Sequence, residues 1–257
     1  MACARRLLIN CDDLGYHPTL NEAIVEILLQ GVVRSASIMP AAPYFDDACG
    51  RLATAGITGV GVHLTISSEY PRLPIRPLSD PRRVSSLVNE EGRFFGDIAA
   101  VRDRILPEQV AEEFRNQIDR ACAAGLRVTH LDGHMFCYEP DVGGVRLLEV
   151  AEAVAADYGV PLRIRSQWQA RSILRTHMFW KGRDEATARF ELYRDFFLSY
   201  DESLSELIIH PGKDLSLMQE FCATAVRRRA DYLFFRDEPF YDLVRSRRIR
   251  VITWPEV

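Results

Sequence analysis

The stretch LLINCDDLGYHPTLNEAIVEILLQG, residues 7–31, reads as one strand–turn–helix unit. Leu7, Leu8 and Ile9, with Cys11 close behind, suit a strand buried on both faces, and Asp12 and Asp13 stand at its end. Gly15 and Pro18 break the chain before PTLNEAIVEILLQ, 18–30, takes up a helical pattern that Gly31 closes. Two adjacent carboxylates where a core strand ends are either a solvated turn or one side of a site built at the strand's carboxyl end.

The same alternation continues. VVRSASIM (32–39), VGVHLTI (60–66), RVTHLDGH (127–134), PLRIRS (161–166), SELIIHPG (205–212) and IRVITW (249–254) read as strands. Helical patterns lie between them at 44–55, 107–124, 141–157 and 184–199, with a long helical region after 212. The helix at 107–124 is the most clearly punctuated, with Pro107 at its start, acids in its first turns and Gly125 past its end. Strands alternating with helices imply parallel βαβ units, and the strand count predicts an α/β fold, a (β/α) barrel of seven to eight strands. No linker interrupts the 257 residues, so a single domain, 1–257, is expected. Its segment 67–106, rich in proline, arginine and serine, is too long for an ordinary βα connection and is expected to be a lid-like insertion.

Composition narrows the function. The net charge of −4 and the lack of a basic, aromatic-interleaved stripe argue against nucleic acid. No apolar run approaches the roughly 20 residues that cross a bilayer, and the N-terminal residues do not resemble a signal peptide. The six cysteines (Cys3, Cys11, Cys49, Cys122, Cys137, Cys222) form no CxxC pair, which predicts a cytoplasmic protein with reduced thiols.

In a parallel barrel the informative residues are polar groups at strand carboxyl ends. Strand one carries Asp12 and Asp13, strand three His63, strand four His130, Asp132 and His134, and the strand near 208 ends in His210. Four of six histidines fall in these segments, which favours a metal site over separate packing roles. Histidine and carboxylate donors suit zinc, manganese, cobalt or nickel, while magnesium usually takes more oxygen. One Asp and two His would leave positions open for water and substrate. His130 and Asp132 read equally as groups orienting His134 or as a buried polar pair.

NCDDLG with Asn21 downstream, SASIMP (35–40), GVGVHLTI (59–66), THLDGHM (129–135) and IIHPG (208–212) resemble, in order and spacing, the YdjC-like carbohydrate deacetylases. This group includes chito-oligosaccharide and hopanoid-associated deacetylase-like proteins. The closing FFRDEPFYDLVRSRRIRVITW is similar to the family's last segment, so the resemblance covers nearly the whole chain. It implies a barrel related to polysaccharide deacetylases that removes N-acetyl groups from an N-acetylated sugar or amino-sugar substrate with one divalent ion, zinc or magnesium, manganese, cobalt or nickel being alternatives. Asp13, His63 and His134 would hold the metal, Asp12 would be the general base on the attacking water, and His210 the general acid for the leaving amine. Phe136 stands where many members carry a further histidine, a change expected at the pocket wall. The weaker readings are a metal-dependent sugar isomerase or epimerase and a non-catalytic sugar-binding module. A membrane partner is not expected, and a homodimer is left open.

Overall fold

A computed structural model describes residues 5–165, 174–179 and 186–257. Expectations made for Cys3, residue 166 and residues 184–185 lie outside the described residues. Among the described residues there are seven strands: β1 (Arg5–Leu14), β2 (Ser35–Ile38), β3 (Gly59–Leu64), β4 (Arg127–Gly133), β5 (Arg175–His177), β6 (Leu204–Ile209) and β7 (Ile249–Ile252). Between them lie α1 (Pro18–Leu29), α2 (Phe45–Thr54), α3 (Pro107–Ala123), α4 (Val145–Tyr158), α5 (Ala186–Ser199), α6 (Leu215–Gln219), α7 (Ala225–Arg236) and α8 (Glu238–Ser246). This is the parallel α/β class that the alternation predicts. The expected strand at 161–166 is reduced to one parallel bridge, Leu131 with Leu162, and the short β5 carries no apolar run by which it could be read.

The chain forms two compact units. The first takes in residues 1–12, 18–36 and 165–257. Here β1 pairs in parallel with β6, from Arg6–Leu204 to Cys11–Ile209, and with β7, from Arg5–Ile249 to Leu8–Ile252; β5 joins the other side of β6. Leu7, Leu8, Ile9, Leu207 and Ile209 are fully buried, as in a strand covered on both faces. Helices α5, α7 and α8 supply an aromatic layer of Tyr193, Phe197, Phe235 and Phe240, all buried and meeting edge to face.

The second unit takes in residues 13–17 and 37–164. Its strand β3 pairs with the end of β2 and with β4, again in parallel. On α3, Val110, Phe114, Ile118 and Ala121 form the buried stripe, spaced as a helix face requires. Two polar residues share that face. Gln117 exchanges hydrogen bonds with the main chain of Thr65, at 2.9 and 2.7 Å, just past β3. Glu113, fully buried, accepts from the main-chain N–H groups of Leu78 and Ser79, both at 3.0 Å, and from Ser79 Oγ at 2.7 Å. Burial pushes the Glu113 carboxyl above its ordinary pKa against these hydrogen bonds. The 67–106 segment is therefore fastened to α3 by polar contacts as well as by burial of Ile75, Val84, Leu87 and Phe94.

One glycine is required by packing. Gly61 faces the His130 ring across β3 and β4, and a Cβ there would overlap three atoms of that ring. Gly61→Ala is expected to destabilise the protein by about 1–3 kcal/mol, the range for overpacking a filled core. Urea unfolding checks this, and a variant as stable as wild type would show that the His130 ring can move aside.

Candidate metal centre

Asp13, His63, Glu69, His130, Asp132, His134 and Arg163 all belong to the second unit. Their arrangement begins with strand register. Between Val60 and Val62 the β3–β4 pairing shifts by one residue, a bulge that sets His63 opposite Asp132. Without it His63 would face Leu131. His63 Nδ1 lies 2.8 Å from Asp132 Oδ1, while the other carboxylate oxygen meets Arg163 at 2.8 Å and stands 3.5 Å from His130 Nε2. Asp132 is fully buried. Burial opposes its ionisation, but Arg163 and His63 beside it hold the carboxyl well below the usual range. An ionised Asp132 accepts a hydrogen bond from His63 Nδ1–H, with Nε2 turned toward Asp13, 3.3 Å from Oδ1.

His134 completes the group from the turn after β4. Its Nδ1 is 3.2 Å from the same Asp13 oxygen and its Nε2 is 2.9 Å from Glu69 Oε2. Burial by itself would lower the His134 pKa; the charges and hydrogen bonds of Glu69 and Asp13 reverse this and push it up to about 9. One carboxylate oxygen and two ring nitrogens thus converge, all within 4.8 Å of one another and on buried residues. Each ring's remaining nitrogen is held by a second carboxylate. That donor set fits a divalent ion with positions to spare for water and substrate.

The backbone is unusual where these side chains are presented. Asp13, Met135 and Phe136 have left-handed φ of 72°, 51° and 55°. Such non-glycine conformations cost on the order of 1–3 kcal/mol each and persist where the surroundings impose them. Asp13 lies inside β1, which runs on to Leu14, so the two aspartates do not end the strand as expected. The positive φ frees Asp13 from the alternation that would otherwise send neighbouring side chains to opposite faces. After Gly133 the chain turns through His134–Phe136, and the Cys137 N–H donates to the His134 carbonyl at 3.0 Å. Tyr138 then packs where any side chain at 133 would stand and donates to the Arg163 carbonyl at 2.6 Å. Tyr16 and Tyr70 meet edge to face at 5.4 Å, and Tyr16 lies 5.8 Å from the His134 ring, forming an aromatic wall.

Asp12 and His210 belong to the first unit. The paired register of β1 and β6 ends at Cys11 and Ile209, and Asp12 and His210 are the residues that follow them, Asp12 still within β1 and His210 just past the end of β6. Asp12 is buried and accepts from Asn10 Nδ2 at 2.8 Å, while Ser35 Oγ donates to Asn10 Oδ1 at 2.6 Å, which fixes the amide's orientation. The His210 main-chain N–H donates to Asp231 Oδ2 at 3.0 Å. The other Asp231 oxygen accepts from Arg189 Nε at 2.5 Å and from the Tyr193 hydroxyl at 2.8 Å.

Of the two readings of His130 and Asp132, orienting His134 or forming a buried polar pair, the first does not match the contacts of Asp132: its carboxylate meets the His63 ring, and Glu69 is the carboxylate beside His134. Glu69 was missed. It lies in an irregular segment, where no periodicity marks a side chain as facing a site. The only signal was its place just after the strand that carries His63.

Known proteins resemble this chain along nearly its whole length. The description "YdjC-like protein" matches residues 6–246. The chain belongs to the YdjC-like family. An Enterococcus faecalis carbohydrate deacetylase is 28% identical over 263 residues, covering 98% of this chain and 92% of the relative. A solved Enterococcus faecalis protein, provisionally described as a cellobiose-phosphate cleavage protein, superposes with a TM-score of 0.80 at 24% identity, over 98% of each chain. A family 4 carbohydrate esterase from Streptomyces lividans, solved with acetate, shares the barrel-like fold at a TM-score of 0.53 and 10% identity, over 98% of this chain and 94% of the esterase. Among the described residues no helix is long and apolar enough to cross a membrane.

Proposed function

We propose that this YdjC-like chain is a cytoplasmic, metal-dependent hydrolase that removes an N-acetyl group from a sugar or amino-sugar-containing molecule. The observation that carries the reading is the convergence of Asp13 Oδ1, His63 Nε2 and His134 Nδ1, with the outer nitrogen of each ring held by a carboxylate. These three residues would hold the ion, zinc being the better match to two nitrogens and one oxygen, with magnesium, manganese, cobalt or nickel as alternatives. When bound, a divalent ion would polarise the acetyl carbonyl and lower the pKa of water toward ~7.

The chain's own residues supply the proton transfers. Asp12, next to Asp13 in the chain, takes a proton from the attacking water; the Asn10 amide aligns its carboxylate for this. His210 gives a proton to the departing nitrogen, which would otherwise leave as a strongly basic anion, and an imidazole is a side chain suited to that transfer. Asp231, braced by Arg189 and Tyr193, holds the main chain at His210. Tyr16 and Tyr70 offer ring faces and edges to a sugar.

His63→Ala is expected to lose stoichiometric metal and to abolish acetate release, read by elemental analysis and by assay on a panel of N-acetylated sugars with and without chelator. Wild-type metal content in this variant would remove His63 from the ligand set. Stoichiometric metal in wild type without chelator-sensitive acetate release would keep the site and overturn the reaction.

A further inference from the structure

We propose that Glu69 is a positioning residue for His134, which makes the segment after β3 a constituent of the metal site and more than a cover over it. The inference rests on reading Asp13, His63 and His134 as the ligand set.

The argument starts from what the two rings leave over. With His63 Nε2 and His134 Nδ1 both turned to Asp13, each ring has one nitrogen facing away. An imidazole offers its lone pair at one nitrogen only when the proton sits on the other, so whatever accepts from the outer nitrogen selects the ligating tautomer. For His63 that acceptor is Asp132, on the adjacent strand and fully buried. For His134 it is Glu69, at 2.9 Å from Nε2, with its side chain 15% exposed. His134 leaves β4 for a turn with two left-handed residues, and the carboxylate at its outer nitrogen comes from the segment after β3.

The backbone around Glu69 is fastened on both sides. The Ser68 N–H donates to the Phe95 carbonyl at 2.9 Å, and Ser68 Oγ accepts from the Ile75 N–H at 2.9 Å. Further along, Glu113 accepts from Leu78 and Ser79. Much of the entropy of presenting the Glu69 carboxylate is therefore met by folding. Tyr70, the next residue, packs on Tyr16, which packs on the His134 ring. Carboxylate and aromatic contact together leave the ring little freedom to rotate.

The test compares wild type, Glu69→Ala, Glu69→Gln and His63→Ala as full-length metal-free proteins, using Zn²⁺ alone in competition with a chromophoric chelator. The visible spectrum with Co²⁺ alone and the thermal midpoint without metal are recorded in parallel. Glu69→Ala is expected to bind Zn²⁺ about 10–100-fold more weakly, the range for losing a group that orients a ligating histidine. Glu69→Gln, which keeps an oxygen acceptor, should recover part of that loss, and the Co²⁺ bands should shift in Glu69→Ala. A Glu69 that only fastens the segment would lower the thermal midpoint and leave Zn²⁺ affinity and the Co²⁺ bands unchanged; that result overturns the proposal while the ligand set stands. Wild type without Zn²⁺ affinity, or His63→Ala binding as wild type does, overturns the ligand set and this inference with it.

Discussion

Asp12→Asn is expected to keep stoichiometric metal and lose turnover by roughly 10²–10⁴-fold, the range associated with removing a general base. The substitution is nearly isosteric at a buried position, and the asparagine oxygen can still accept from Asn10 Nδ2, so the local hydrogen bond survives. What disappears is the ability to take up a proton. Asp13, His63 and His134 are untouched, so metal content separates this variant from a ligand mutant. Elemental analysis beside initial rates of acetate release makes the comparison. Loss of metal in Asp12→Asn would make Asp12 a ligand and move the base role elsewhere; turnover near the wild-type rate would end its role as base.

The second large effect is on stability and metal binding together. Asp132→Ala removes the carboxylate shared by His63 and Arg163, with Arg163 only 4% exposed. Removing one side of a buried ion pair costs about 3–5 kcal/mol. Against a typical total of 5–15 kcal/mol this is a severe loss. The same substitution removes the carboxylate from His63 Nδ1, so metal affinity should fall by at least about 10-fold. Denaturant unfolding of the metal-free protein and Zn²⁺ competition read the two effects separately. Unchanged stability would mean that Arg163 finds another partner or reaches water. The contrast with Glu69 is informative, because its carboxylate is partly exposed and solvent screens the pair; removing it should affect metal binding more than folding.

Much of this molecule was legible from local patterns. Gly31 after PTLNEAIVEILL and Pro107 before the α3 stripe mark helix ends, because capping and φ preferences act within a few residues. The apolar runs at 7–11 and 60–64 announce strands buried on both faces. Histidines and acids gathered at the carboxyl ends of such runs marked Asp12, Asp13, His63, His130, Asp132, His134 and His210 as candidates, and the resemblance to the YdjC-like family implied Asp13, His63 and His134 as the ligands among them. Their convergence within 4.8 Å is a tertiary fact.

The pairing of carboxylates with rings was not legible. Asp132 sits opposite His63 because a one-residue bulge shifts β4 against β3, and such a shift is decided by packing across strands rather than by either strand's own sequence. Asp13 remains inside β1 with a left-handed φ that no propensity favours, held there by contacts made far along the chain. Glu69 reaches His134 across sixty-five positions of sequence from a segment without periodicity. Local sequence determined which residue types stand at the strand ends. Register, a bulge and a fastened loop decided which of them meet, because those are set by the long-range packing that closes the fold.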